Sequence, residues 1–406
     1  MNGTRPIRHL RFFFAFSAPL CAFCVKSLLM VLIAAGNLAA QTTPVHTIEQ
    51  DVAAAAFGPD GRLCYATRRM IEWRRIEMRR DDIWMLTPDG KSKKIVDGQR
   101  IVRANVPFSF AVQSIRWAPD GAKLTVEMRA SVFTNYERNE TEEVYLTLLL
   151  EDSGKEIKMA GADSTILGAA NAAWLGDGVT VAFMSENRND RLVSGAHMVR
   201  PLSGRSSTFL GDRTFTAVSW DPPRNRGLGI ERHLAMRGQP RLVLLNVPNE
   251  ALTELAVLDG YLGQLTVSPS GKRVAYFRDA ETMEIREIEH PARITRVRVA
   301  YGVYAWAPDE TRILMKSALE RRNGDLYWIR IPAPAEPPTT AAPAASGNAT
   351  APPSAGSGGP PPKGEAVTPD PILHGLGFRD FALAHDGKRI AVIEPGKRNL
   401  AIYALP

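Results

Sequence analysis

The sequence predicts an all-β chain folded as a seven-bladed β-propeller, and three observations lead there. A short turn motif returns seven times along the chain. Each copy is followed by strand-like runs that group in fours. The last group is one strand short, a deficit that the start of the mature chain can fill.

The motif is a large apolar residue, a spacer, Pro-Asp-Gly or a relic of it, and then an apolar run. Its clearest copies are Phe57-Gly58-Pro59-Asp60-Gly61 and Trp117-Ala118-Pro119-Asp120-Gly121. Others are Trp174-Leu175-Gly176-Asp177-Gly178, Val267-Ser268-Pro269-Ser270-Gly271, Trp306-Ala307-Pro308-Asp309-Glu310 and Leu383-Ala384-His385-Asp386-Gly387. Trp220-Asp221-Pro222-Pro223 is a degenerate fourth copy in chain order, so six or eight blades also fit the pattern. Pro presets a negative φ, Asp accepts a nearby backbone N–H, and Gly takes the positive φ that other residues resist. The bulky residue before the turn is expected to fill the wedge between neighbouring sheets.

A second strand follows each turn, as in Leu124-Thr125-Val126 or Ile390-Ala391-Val392. Third strands read as Asp82–Leu86, Val144–Leu148, Arg241–Leu245, Leu326–Ile329 and Leu400–Tyr403. Fourth strands read as Lys93–Val96, Glu156–Met159 and Glu254–Val257. Strands alternating with amphipathic helices, which a βαβ fold requires, are not evident. From Ala333 to Glu365 the chain is almost wholly Pro, Ala, Gly, Ser and Thr, a composition that cannot bury a core. It reads as a disordered insert within the propeller, because residues 366–406 hold another copy of the repeat and are too few for a domain. The expected organisation is thus blades 1–6 over 41–332, the insert over 333–365, and the end of blade 6 with blade 7 over 366–406. Val45–Glu49 is expected to complete the last blade, which closes the ring and removes a sheet edge.

Residues 1–40 read as a signal peptide: Arg5, Arg8 and Arg11, an apolar stretch, then Leu38-Ala39-Ala40 before a mature start at Gln41. This places the protein in the periplasm or outside the cell, with no membrane span after cleavage. The segment holds four cations and no acid, so its removal lowers the formal charge from +7 to +3 and weakens any case for a nucleic-acid partner. Cys21 and Cys24 leave with it. Cys64 alone can form neither an internal disulfide nor a zinc site.

The phrase Trp117-Ala118-Pro119-Asp120-Gly121-Ala122-Lys123-Leu124-Thr125-Val126, with its six relatives, resembles the TolB-like, WD-like propeller repeat. The resemblance covers the mature chain and implies the fold, found in bacterial periplasmic proteins and in propellers that precede prolyl-oligopeptidase-type domains. TolB carries a separate α/β domain before its propeller, whereas blades here begin directly after the signal. The peptidase domain is also missing, so neither family's role transfers.

No Gly-x-Ser-x-Gly elbow, Walker loop, dinucleotide fingerprint or HExxH pair occurs, and no cofactor, metal site or catalytic residue is assigned. The functional signal lies in the connections between second and third strands, which share one face of a propeller. Arginine recurs there with aromatic residues: Arg68, Arg69, Trp73, Arg74, Arg75, Arg79 and Arg80, then Tyr136 and Arg138, Arg188 and Arg191, Arg232, Arg321 and Arg322, and Arg398. Such a face suits carboxylate contacts and protein interfaces. The first connection is long enough to stand up as a hairpin or short helix. The reading is a non-enzymatic scaffold, a monomer or part of an envelope complex, that binds a protein or anionic envelope component. The alternative is a hydrolase or lyase with a metal or substrate in the central channel.

Overall fold

The computed structural model describes residues 43–73, 75–101, 108–135, 140–160, 166–167, 169–186, 193–231, 239–317, 325–332, 365–366, 370–373, 380–394, 396 and 398–405. Seven antiparallel four-stranded blades follow one another along the chain. Their innermost strands are Val52–Phe57, Phe108–Trp117, Ala170–Trp174, the second half of Arg205–Asp221, Gly263–Val267, Gly302–Trp306 and Asp380–Leu383. Blades 3 and 4 share the strand Arg205–Asp221, whose first half is the outer strand of blade 3, so their sheets are continuous. The last blade has three strands of its own. His46–Ile48 supplies the fourth by pairing antiparallel with Leu400–Ala404, which closes the ring as the sequence implied.

All seven turns take one shape. A hydrogen bond runs from the N–H of the motif's last residue to the carbonyl three residues earlier, as in Gly61 to Gly58 (3.0 Å) and Gly271 to Ser268 (2.8 Å). That last residue has a positive φ in every blade. Gly occupies it in five, Asn225 (φ 52°) in the degenerate fourth copy and Glu310 (φ 57°) in blade 6. Asp60, Asp120, Asp177, Asp309 and Asp386 each accept the N–H two residues on, at 2.9–3.1 Å. Each is a four-residue turn closed by an i to i+3 hydrogen bond and a left-handed last residue.

Each second strand is buried on both faces, and its alternate side chains feed two different cores. Leu63 and Tyr65 pack toward blade 7, Cys64 and Ala66 toward blade 2. Val274 and Tyr276 face blade 4, Ala275 and Phe277 face blade 6. Among the described residues the apolar core divides into seven clusters, one for each seam between neighbouring blades, including the seam that joins Ala391 and Ile393 to Val52 and Leu63. The wedge tryptophans also tie seams together. Trp117 donates its Nε1–H to the Ala56 carbonyl of the preceding blade (3.0 Å), and Trp174 does the same to Leu124 (3.1 Å). Trp220 reaches Asn171 (2.6 Å) and Trp306 the Thr266 hydroxyl (3.1 Å).

One strand assignment needs correction. The outer strand of blade 2 is Ile166–Leu167 rather than Glu156–Met159. Glu156 and Ile157 begin to pair beside Leu149 and Leu150, but Ile157 packs into the seam with blade 3, and among the described residues the ladder continues at Ile166 and Leu167. A second feature was not legible. Residues 365–366 add a short parallel strand to the outer edge of blade 5, against Val297 and Arg298, before the outer strand Asp370–Leu373 completes blade 6. The expected signal segment and nearly all of the Pro/Ala-rich insert lie outside the described residues. No helix among the described residues is long and apolar enough to cross a membrane.

Candidate binding face

The seven turns lie on one face, where a cation from each of five blades reaches a backbone carbonyl in the turn of the next blade and the Gly176 N–H of blade 3 reaches the Pro222 carbonyl of blade 4 (2.7 Å). Arg62 donates to the Gly121 carbonyl (3.0 Å), Lys123 to that of Gly178, and Arg226 to that of Gly271 (2.6 Å). Arg273 donates to Glu310 O (2.6 Å) and Arg389 to Gly61 O (3.2 Å). Antiparallel pairing then puts every connection between second and third strands on the opposite face, where the arginine-rich segments were expected to gather.

On that face blade 1 builds an additional hairpin. Met70–Trp73 pairs with Ile76–Arg79, so the first connection is a hairpin and not a helix. Alternation sets Ile71 opposite Met78 on one side, with Glu72 opposite Glu77 on the other. Met78 is fully buried, so the apolar side leans on the propeller body, while Met70 is 49% exposed. Arg75 stands exposed at the tip with φ 66°, a left-handed conformation that costs a non-Gly residue free energy.

The base of this hairpin is rigid. Arg79 makes two 2.7 Å bonds to the Asp81 carboxylate, which also accepts the Val112 N–H of blade 2 at 2.8 Å. The Ser109 hydroxyl accepts the Arg79 N–H (3.0 Å), and Arg80 bridges to Phe110 of the same inner strand. Arg80 is buried; it donates to the Gly98 and Ile101 carbonyls, at 3.3 and 2.7 Å, and lies over the Phe110 ring. Burial lowers its pKa from the ordinary arginine value, yet these acceptors suit the protonated form. Arg69 contacts Asp97 (3.1 Å) and Asp82 (3.5 Å), and Asp82 also binds Lys94 and the Gly98 N–H. Arg68 and Arg398, from neighbouring blades 1 and 7, converge on Asp51 at 3.8 and 3.3 Å.

The expected arginines thus fall into two groups. Arg68, Arg69, Arg79, Arg80 and Arg398 hold the base of the face together through Asp51, Asp81, Asp82, Asp97 and backbone carbonyls. Arg75 alone of the described set stands outward at the hairpin tip. The backbone of Trp73 is part of the hairpin. Arg74, Tyr136, Arg138, Arg188, Arg191, Arg232, Arg321 and Arg322 lie outside the described residues. The aspartate partners went unread, although Asp81 and Asp82 follow Arg79 and Arg80 directly and could have signalled internal pairing.

Blade 2 raises a second wall beside the first. Its strands Lys123–Asn135 and Glu140–Glu151 pair as far as Asn135 with Glu140. Measured from the residue that pairs with the motif aromatic, the second strand runs seven residues further than that of blade 1, about 23 Å at 3.3 Å per residue. Elsewhere chemistry is sparse. Cys64 is wholly buried and desolvation raises its thiol pKa, which disfavours the thiolate. Among the described residues no three His, Cys, Asp or Glu side chains gather as a metal site.

No family model matches the chain, and no curated protein does. Solved structures do. A chain of a mitotic checkpoint complex superposes with a TM-score of 0.50 at 11% identity, covering 99% of each chain. The β-propeller domain of Cps50 (Swd1) from Myceliophteria thermophila superposes with a TM-score of 0.54 at 10% identity, covering 89% of this chain and all of that one. TolB from Acinetobacter baumannii aligns over 62% of this chain and 57% of its own, with a TM-score of 0.36, too low to argue from. At these identities the likeness establishes the propeller fold and nothing finer.

Proposed function

We propose that this protein is a non-enzymatic binding scaffold of the bacterial envelope, exported by residues 1–40 and retained in the periplasm or released. It engages a protein or anionic envelope partner through the connection face, with the blade 1 hairpin at the centre of contact. The observation that supports this reading most is the build of that hairpin. Its base is fixed by Asp81, Ser109 and a buried arginine, while its tip presents Arg75 in a costly backbone conformation. A rigid support under an exposed tip is what a pre-organised contact needs. The fold fits the scaffold role, because propellers present connection loops as broad interaction surfaces. The resemblance of the repeat to TolB-like blades fits an envelope location.

The test is charge reversal at the tip. The mature chain with Arg75→Glu is expected to unfold within about 0.5 kcal/mol of the parent, since Arg75 is exposed at the tip, away from the base. Its affinity for the partner recovered by cross-linking to the native protein is expected to fall at least tenfold. Undiminished affinity in this variant would remove the hairpin from the proposal.

A further inference from the structure

Glu284, in the third strand of blade 5, is 2% exposed and is approached by three guanidinium groups. Arg296 donates to its Oε1 at 2.9 Å, and Arg278 reaches the same oxygen at 3.9 Å. Oε2 accepts the Tyr276 hydroxyl at 2.5 Å and Arg286 at 3.2 Å. No other carboxylate among the described residues gathers three cations. Strand register brings them together. Glu284 pairs with Tyr276 on one side and with Arg296 on the other, so all three side chains share the face that Tyr276 turns to blade 4. Arg286 lies on that face too, and Arg278 follows the second strand at its connection end. The link from blade 4 closes the corner, where a Cβ on Gly260 would meet the Arg278 carbonyl at 3.0 Å.

The three arginines are not equally satisfied. Arg286 is buried, and each of its nitrogens has an acceptor: the Tyr276 hydroxyl (2.8 Å), the Pro291 carbonyl (2.9 Å) and Glu284. Arg296 uses only its Nε, and no acceptor among the described residues receives its terminal nitrogens. The Arg278 guanidinium makes no hydrogen bond. Its second ionic contact is a 3.4 Å approach to Asp279, a carboxylate that already accepts the Glu281 N–H. Burial acts to raise the Glu284 pKa, but hydrogen bonds from Tyr276 and Arg296 and the nearby guanidinium charges outweigh it, so this acid is ionised at neutral pH. Even with Asp279 counted, three cations meet two acids. The surplus rests on Arg278 and Arg296, which are 18% and 21% exposed. Partly buried charge without full pairing costs free energy until an anion supplies the missing acceptors.

We propose that Arg278 and Arg296 bind a small tetrahedral oxyanion, inorganic phosphate or a phosphate monoester, in the outer part of the seam between blades 4 and 5. Two guanidinium forks offer more donors than the two oxygens of a carboxylate can receive, whereas a phosphate group presents at least three oxygens. Glu284 and the saturated Arg286 hold the forks in place and do not touch the ligand. The recess admits a small ion and not a membrane surface. It lies in a different seam from the blade 1 hairpin and does not depend on it.

Calorimetric titration of the mature chain with inorganic phosphate, at an ionic strength held constant with chloride, is expected to show a saturable site with a Kd on the order of 1 mM. Acetate is expected to bind at least tenfold more weakly. Arg296→Gln and Arg278→Gln should each weaken phosphate binding at least tenfold. Arg293→Gln, an equal loss of charge at the turn end of the same blade, should not. Because Arg278 has no hydrogen bond through its guanidinium, its variant carries the test even if Arg296→Gln fails to fold. Vesicles of phosphatidylglycerol should not sediment the protein in an Arg278-dependent manner. Phosphate that fails to bind saturably overturns the proposal, and so does acetate of equal affinity. An equal loss in Arg293→Gln would mark an adventitious ion only, and Arg278-dependent sedimentation would make the ligand a lipid headgroup. Either result also overturns it.

Discussion

The two faces of this propeller are built on opposite plans. On the turn face seven turns share one backbone conformation, and cations from five blades clasp a carbonyl of the next blade. On the connection face the links differ in length: the one between second and third strands has four residues in blade 5 (278–281) and fourteen in blade 1 (68–81). Closing a ring of equal sheets demands equal corners at one end, whereas the other end is free to vary once the strands are paired. Repetition here marks what the ring requires, and irregularity marks what a partner can use.

Three substitutions test that contrast, and the largest effect is expected on the irregular face. Asp81→Ala removes a fully buried carboxylate and strands both Arg79 and the Val112 N–H. The expected loss is about 3 kcal/mol in urea unfolding. A loss below 1 kcal/mol, on the order of one ordinary hydrogen bond, would mean that the hairpin is not anchored to the ring. On the regular face, Arg62→Met keeps the aliphatic stem but removes the bond to Gly121, the contact with Asp152 at 2.8 Å and the stacking on Trp117. A cost of about 1–2 kcal/mol is expected, and equivalent changes at Arg226 or Arg389 should match it. Unequal costs would break the claim that the clasps are equivalent.

The smallest effect concerns the blade in which the turn glycine is replaced. Glu310→Gly should relieve the left-handed strain by roughly 1 kcal/mol. It also removes a carboxylate that accepts from Ser270 and Arg273 of blade 5. Two charge-assisted contacts outweigh one relaxed backbone, so a net loss of about 1 kcal/mol is expected at pH 7. The pH dependence gives the sharper reading. Burial raises the Glu310 pKa, but hydrogen bonds from Ser270 and Arg273 pull it the other way, and the net shift is below the ordinary glutamate value. A depressed folded-state pKa contributes stability at neutral pH that fades as pH falls through the carboxylate range. The parent and Glu310→Gly should therefore converge in stability on acidification. A constant gap between their unfolding midpoints would rule out the carboxylate as the cause.

Much of the fold was legible because a turn is a local object. Trp117-Ala118-Pro119-Asp120-Gly121 contains everything its own geometry needs, whereas in the weakest copy, Trp220-Asp221-Pro222-Pro223, only the structure shows that Asn225 takes the place of glycine. Ring closure was legible for a different reason: a blade one strand short needs a partner, and His46–Ile48 was the unassigned strand-like segment nearest the start of the mature chain. The outer strand of blade 2 was misplaced because Glu156–Met159 has strand-like composition, and only packing of Ile157 into the next seam turns the chain away.

The sequence by itself determined the repeat and the blade, since these follow from side-chain period and turn chemistry within a few residues, while the degenerate fourth copy left the count of seven to the sheet pairing. Only the tertiary structure decided which cations serve the scaffold and which face outward. Arg79 and Arg75 are indistinguishable in composition, and they differ because one meets Asp81 and the inner strand of the next blade while the other stands at a hairpin tip. Likewise Arg312 shares its place in the repeat with Arg62, yet it lies over the Trp328 indole of its own blade, whereas Arg62 lies over Trp117 of the next. Charge pairing depends on distances between segments far apart in the chain, and those distances exist only once the ring has closed.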